Sequence, residues 1–331
     1  MTTTTHWPHR AEIGRFCQWN CFQEALAPVL QRDYGIDTDA FDTLRFVGLP
    51  DLREPLAEGK DPGGFGGVAW PELGELYRIR WSWLGGELTA DPGAVVEMAR
   101  HRPLIAVVDR YHVPTDKVCH GKHHRMHTIL LVDAGPDGVA YSDAEYPFSP
   151  ARITLADLGR AVLPVPDGEG SFVVGVEDAA ELTSQDRTEA DSRFLGALAD
   201  SLDAPAERVG EVAGLITEPL RAVTANPEAG ELLGNDLASF LNAAARSLGT
   251  GERLLEAGGA PAEARDHVAT LAKQATTAYR LLQMLVESGS DRYLPRLERE
   301  LQGLVAAWDS PPHAPAVESL RASLPMSEVG A

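Results

Sequence analysis

Apolar positions along the chain change their period more than once. Leu26, Val29 and Leu30 recur at helical spacing behind Asn20-Cys21-Phe22-Gln23, and Gly35 follows Asp33-Tyr34 as a stop. The pattern predicts a helix over 21–34, with Asn20 as cap, Gln23 as its capping-box partner, and a kink or interruption at Pro28. The mixed segment 39–60 holds a short helix around Phe41 to Phe46, and a glycine-dense loop runs from Lys60 to Gly67. That loop lacks the Gly-Lys-Ser/Thr ending of a phosphate loop and predicts no nucleotide site. Further helices are expected at Trp70–Tyr77 and from Pro92, capped by Asp91, to about Arg100.

Period-two patterns alternate with these. Residues 78–84 alternate as a half-buried strand does, and Leu104 to Val108 is an apolar run suited to a strand buried on both faces. Runs at 128–132 and 139–143, separated by the turn-rich 133–138, predict an antiparallel hairpin. A helix over 153–162 and a strand over 171–176 close this part. Residues 1–176 therefore read as an α+β domain, with one cysteine-bearing helix on a largely antiparallel sheet.

The acidic, polar stretch 177–189 reads as a linker, and beyond it strand-like runs vanish. Leu195, Leu198 and Leu202 share a helical face, as do Leu237, Phe240, Leu241 and Ala244. So do Val268, Leu271 and Ala275, continuing through Leu282 and Leu285. Residues 190–310 are thus expected to be an all-α helical domain, with breaks near Pro205, Pro227 and 258–261. The proline-rich 311–331 reads as a frayed, disordered tail.

Composition narrows the function. The formal net charge of −20 argues against a nucleic-acid partner and suits a cationic amine as substrate. Three cysteines, Cys17, Cys21 and Cys119, are too few for a disulfide framework and point to a reducing, cytoplasmic setting. Neither a signal-peptide pattern at 1–8 nor an apolar run of about 18 residues is present, so no membrane association is expected. Abundant Ala, Gly, Pro and Arg suggest a bacterial source.

Cys21 falls in the first turn of its helix, where unpaired backbone N–H groups and the dipole favour a thiolate. A thiolate needs a base and a group that orients the base. A hairpin centred between Gly135 and Pro136 pairs residues whose numbers sum to roughly 271, which brings His127 and Asp143 opposite or nearly opposite on one face. The expected arrangement has the carboxylate holding Nδ1–H and leaves Nε2 facing the sulfur. The histidine-rich 119–127 offers a zinc alternative through His120, His123 and His124. It lies on a loop without a second ligand cluster, so no metal and no cofactor are expected.

Asn20-Cys21, Ala25-Leu26 and Tyr34-Gly35 resemble the cysteine motif of the C39-like branch of papain-fold proteins. Residues 107–114 (VVDRYHVP), then His127, then Tyr141-Ser142-Asp143, resemble more specifically the BtrH N-terminal family of antibiotic biosynthesis. The resemblance covers about residues 13–175, and a helical C-terminal region is usual in that family. It implies a papain-like domain with Cys21 as nucleophile, His127 as base and Asp143 as orienting acid. The type of reaction it implies is transfer of an acyl group from an acyl carrier protein to an amine. Papain-like sites also hold the oxyanion with a glutamine before the cysteine. Here the residue six before is Arg15, and Gln18 is the glutamine nearby. Two other readings remain open. One is ring closure on a carrier-bound biosynthetic intermediate, with His127 and Asp143 activating an amine. The other is a non-catalytic subunit whose helical half docks a second protein.

Overall fold

The structure is a computed structural model. It describes residues 21–38, 40–44, 70–83, 92–116, 119–122, 124, 126–135, 137–143, 151–162, 173–204, 209–210, 213–214 and 227–323. Contacts divide the chain into two units, Met1–Phe41 with Ala69–Leu182, and Asp42–Val68 with Thr183–Ala331.

The first unit opens with α1 (Cys21–Tyr34), which Pro28 does not interrupt. Gly35 ends it at φ +69°, and the N–H groups of Gly35 and Ile36 take up the carbonyls of Gln31 and Leu30. Along the chain there follow the short α2 (Phe41–Leu44), of which only Phe41 belongs to this unit, and then α3 (Trp70–Leu76), β1 (Arg80–Trp83), α4 (Pro92–Ala99), β2 (Leu104–Asp109) and a 3-10 turn at Arg110–His112. The hairpin is β3 (Met126–Gly135) with β4 (Gly138–Ser142), followed by β5 (Ala151–Ile153), α5 (Leu155–Ala161) and β6 (Val173–Asp178). The six strands form one antiparallel sheet in the order β1-β6-β2-β3-β4-β5, which gives an α+β unit.

The sheet is covered on both faces, as the unbroken apolar run of β2 requires. Leu104, Ala106, Val108, Ile129, Leu131 and Tyr141 point to one face, against Val95, Ala99 and Leu158 of α4 and α5. Ile105 and Leu130 point to the other. There α1 packs on β2 and β3, and its Tyr34 hydroxyl donates to the Val176 carbonyl at 2.8 Å.

The hairpin register departs from expectation. Gly135 pairs with Gly138, which moves the centre of the hairpin one residue later, and a bulge between Leu131 and Asp133 absorbs one residue of β3. Below the bulge Leu130 pairs with Ser142. Extended to the open end, this register sets Asp143 opposite Ile129, two residues from His127 on the same face.

The second unit is helical in its described residues. It comprises α6 (Ser184–Leu202), α7 (Pro227–Ala257), α8 (Ala262–Ser288), α9 (Leu294–Trp308) and α10 (His313–Ala322). Leu195, Leu198, Leu202, Val268, Leu271 and Ala275 share one core, and Leu237, Leu241, Leu282 and Leu285 share another. The side chain of Phe240, expected on the second of these faces, lies outside the described ones. Two boundaries are corrected. Residues 184–189, read as linker, are the first turns of α6, because Thr183 and Asp186 form a reciprocal capping box. Residues 313–322, read as frayed tail, form α10, which buries Ala316, Val317 and Leu320. Pro315 lies in the first turn of that helix, where its missing N–H costs nothing.

Candidate active site

Cys21 is the first residue of α1 and is half-buried. Its thiol donates to Thr128 Oγ1 at 3.5 Å, a length ordinary for sulfur. Asn20, Gln18 and Cys17, expected as cap, oxyanion holder and third cysteine, lie outside the described residues. Gln23, expected in the capping box, is fully buried, and its amide donates to the Phe41 carbonyl at 3.5 Å.

His127 and Asp143 are brought together. Nε2 lies 3.0 Å from Asp143 Oδ1, with each residue only 2% exposed. This corrects the expected nitrogen assignment, because the carboxylate holds Nε2 and not Nδ1. The physical reason is the register. Asp143 sits diagonally from His127, so the imidazole spans the offset with its far nitrogen. An ionised carboxylate only accepts, so the neutral ring carries its proton on Nε2 and its lone pair on Nδ1.

The second oxygen of Asp143 has its own support. Thr115 Oγ1 donates to Oδ2 at 3.5 Å and lies 2.9 Å from the Tyr141 hydroxyl, which in turn accepts from the Thr115 N–H at 3.3 Å. Thr115 has one hydroxyl proton, and Asp143 takes it, so Tyr141 is the donor in the 2.9 Å bond. Burial raises the Tyr141 pKa, against the pull of its bonds to Thr115, and the Asp143 charge raises it further. The phenol therefore keeps its proton. Thr115 is positioned by the turn after β2, where the buried Arg110 guanidinium bonds Asp116 and the Cys119 N–H donates to Asp116 Oδ1 at 2.7 Å.

His127 and Thr128 are consecutive on β3. The sulfur meets β3 at Thr128, next to the histidine of the His127–Asp143 pair. Sequence reasoning missed Thr128, Thr115 and Tyr141. The first adjoins His127 and the third shares the strand face of Asp143, but polar side chains at such places are common and carry no signal of their own.

Two of the three histidines of the zinc alternative are described. His124 Nδ1 lies 2.6 Å from Asp109 Oδ2 and its ring stacks on Tyr111, with centroids 4.4 Å apart. His120 is exposed, and His123 lies outside the described residues. Among the described residues no group of three or more metal-ligating side chains converges. No described helix is long and apolar enough to cross a membrane. Compared with known proteins, the chain matches no family model and no curated protein.

Proposed function

We propose that the first unit is a papain-like acyltransferase that moves an acyl group from a carrier-bound thioester to an amine. The observation that carries this reading is the buried Nε2–Asp143 bond, which fixes the tautomer with Nδ1 as base one residue from the side chain that the Cys21 sulfur touches. Nδ1 adjoins Cγ and is the ring nitrogen closer to the β3 backbone.

In this reaction the Cys21 proton passes to His127 Nδ1 and the thiolate attacks the thioester carbonyl. A bond from Cys21 sulfur to acyl carbon forms, and the carbon–sulfur bond to the carrier breaks. The departing thiolate takes the proton from Nδ1. The substrate amine then attacks the acyl-enzyme, gives its proton to Nδ1, and the Cys21 thioester breaks to leave an amide. Asp143 stabilises the imidazolium in both halves, and the helix N-terminus favours the thiolate. The net charge of −20 favours a cationic amine acceptor.

A second reading draws on the His127–Asp143 bond, a base held by a buried carboxylate that can serve an amine as well as a thiol. There the pair deprotonates an amine for ring closure on a carrier-bound intermediate. Amide formation from an acyl-pantetheine thioester and a polyamine separates the two. Acyl transfer predicts loss of product in both Cys21→Ala and His127→Ala. Full activity in Cys21→Ala overturns it and favours the ring-closing reading.

A further inference from the structure

We infer that Thr128 is a further catalytic residue, whose hydroxyl donates a hydrogen bond to the Cys21 thiolate. This rests on Cys21 being the nucleophile of the proposed transfer. In the resting thiol, the S–H points at Thr128 Oγ1 across 3.5 Å. A thiolate has no proton to give, so the contact persists only if it reverses, with the Thr128 O–H turning onto the sulfur. A threonine hydroxyl can do this by rotation about one bond, because it both donates and accepts.

The surroundings fit that role. Thr128 is 5% exposed, so little water competes for its hydroxyl. It is fixed in β3 opposite Val107 in a paired stretch of the sheet, and β-branching restricts its χ1. Cys21 is fixed as the first residue of α1. The hydroxyl oxygen is therefore in place before the charge appears and only its proton has to turn, which keeps the reorganisation small. It also adds a side-chain donor to whatever the helix N-terminus supplies.

Two substitutions isolate the hydroxyl. Thr128→Val is isosteric and favours a strand, so the sheet is retained, and Thr128→Ser keeps the hydroxyl without the methyl. Glu24, one turn along α1, and His127 beside position 128 are unchanged in both. The readout is the pH dependence of Cys21 alkylation by iodoacetamide, followed by fragment-ion mass spectrometry that separates Cys21 from Cys17. The expected result is a higher apparent thiol pKa and about tenfold slower alkylation near neutral pH in Thr128→Val, with Thr128→Ser close to wild type. An unchanged pKa in Thr128→Val overturns the proposal, as does an equal shift in both variants. The outcome is independent of acyl transfer. An acyl adduct on wild-type Cys21 together with an unchanged pKa in Thr128→Val removes Thr128 alone. A shifted pKa with no adduct removes the acyl-transfer reading and keeps the hydroxyl's role.

Discussion

His127 Nε2 donates to Asp143 Oδ1 across 3.0 Å in a site from which both side chains are almost wholly withdrawn from water. A buried carboxylate deprived of its donor, or a ring deprived of its acceptor, cannot turn to solvent instead. Acyl transfer should therefore fall by about 10²–10⁴-fold in His127→Ala, the usual worth of a positioned base. Single-turnover rates on the thioester measure it. The fall should appear in the rate constant and not in substrate affinity, since neither carboxylate nor imidazole is asked to bind the acyl chain.

Thr115 and Tyr141 hold the other oxygen of that carboxylate. Tyr141→Phe removes one buried hydrogen bond and should cost about 1 kcal/mol in denaturant unfolding. It should also slow transfer, because Thr115 then loses its anchor. Thr115→Ser should restore what Thr115→Val loses, a rescue that a purely packing role would not give.

The buried Arg110–Asp116 pair shapes the turn that presents Thr115. Asp116→Ala breaks the buried ion pair and removes the acceptor of the Cys119 N–H, so it should destabilise the protein by about 3–5 kcal/mol. Chemical denaturation followed by intrinsic fluorescence is the measurement. An effect under about 1 kcal/mol would show that the pair is not a structural pin.

Gly138 closes the hairpin at φ +122°, and a Cβ there would run into the Ile153 carbonyl oxygen. Gly138→Ala should cost at least about 2 kcal/mol, through backbone strain and displacement of β5. Thermal unfolding reports it. Gly121, also at positive φ but with open space around its Cβ position, should be the milder site for the same substitution.

In the helical unit His267 Nε2 lies 3.0 Å from His313 Nδ1, and His313 Nε2 lies 2.8 Å from the Leu202 carbonyl. Burial, then the neighbouring His313, lowers the His267 pKa below its ordinary value. The unfolded chain therefore binds this proton first. Stability is complete above the unfolded pKa of about 6.5 and falls as the pH drops through it, towards the lower folded value. Urea midpoints at pH 7.5 and 5.5 should show the loss, and His267→Gln should flatten the difference.

Much of the site's framework was legible from residue pattern because each signal was local. Gly35 announced the end of α1, and the turn residues between two apolar runs announced the hairpin. Long-range details were not local and did not show. The hairpin turn lies one residue later than the apolar runs suggest, which moves Asp143 off the partner position of His127, and the bulge after Leu131, which leaves no trace in hydrophobic alternation, returns it to the face of His127 within reach of the far ring nitrogen. The capping box Thr183–Asp186 was concealed by the polar composition that suggested a linker. At 313–322 three prolines from 311 to 315 outweighed a short apolar stripe whose value depends on a core contributed by helices elsewhere in the unit.

The most direct measurement is the intact mass of the protein after exposure to an acyl-pantetheine thioester without amine. The account predicts one acyl unit, mapped to Cys21, absent in Cys21→Ala and formed far more slowly in His127→Ala. An unmodified wild-type protein, or an adduct on Cys119 instead, would contradict it.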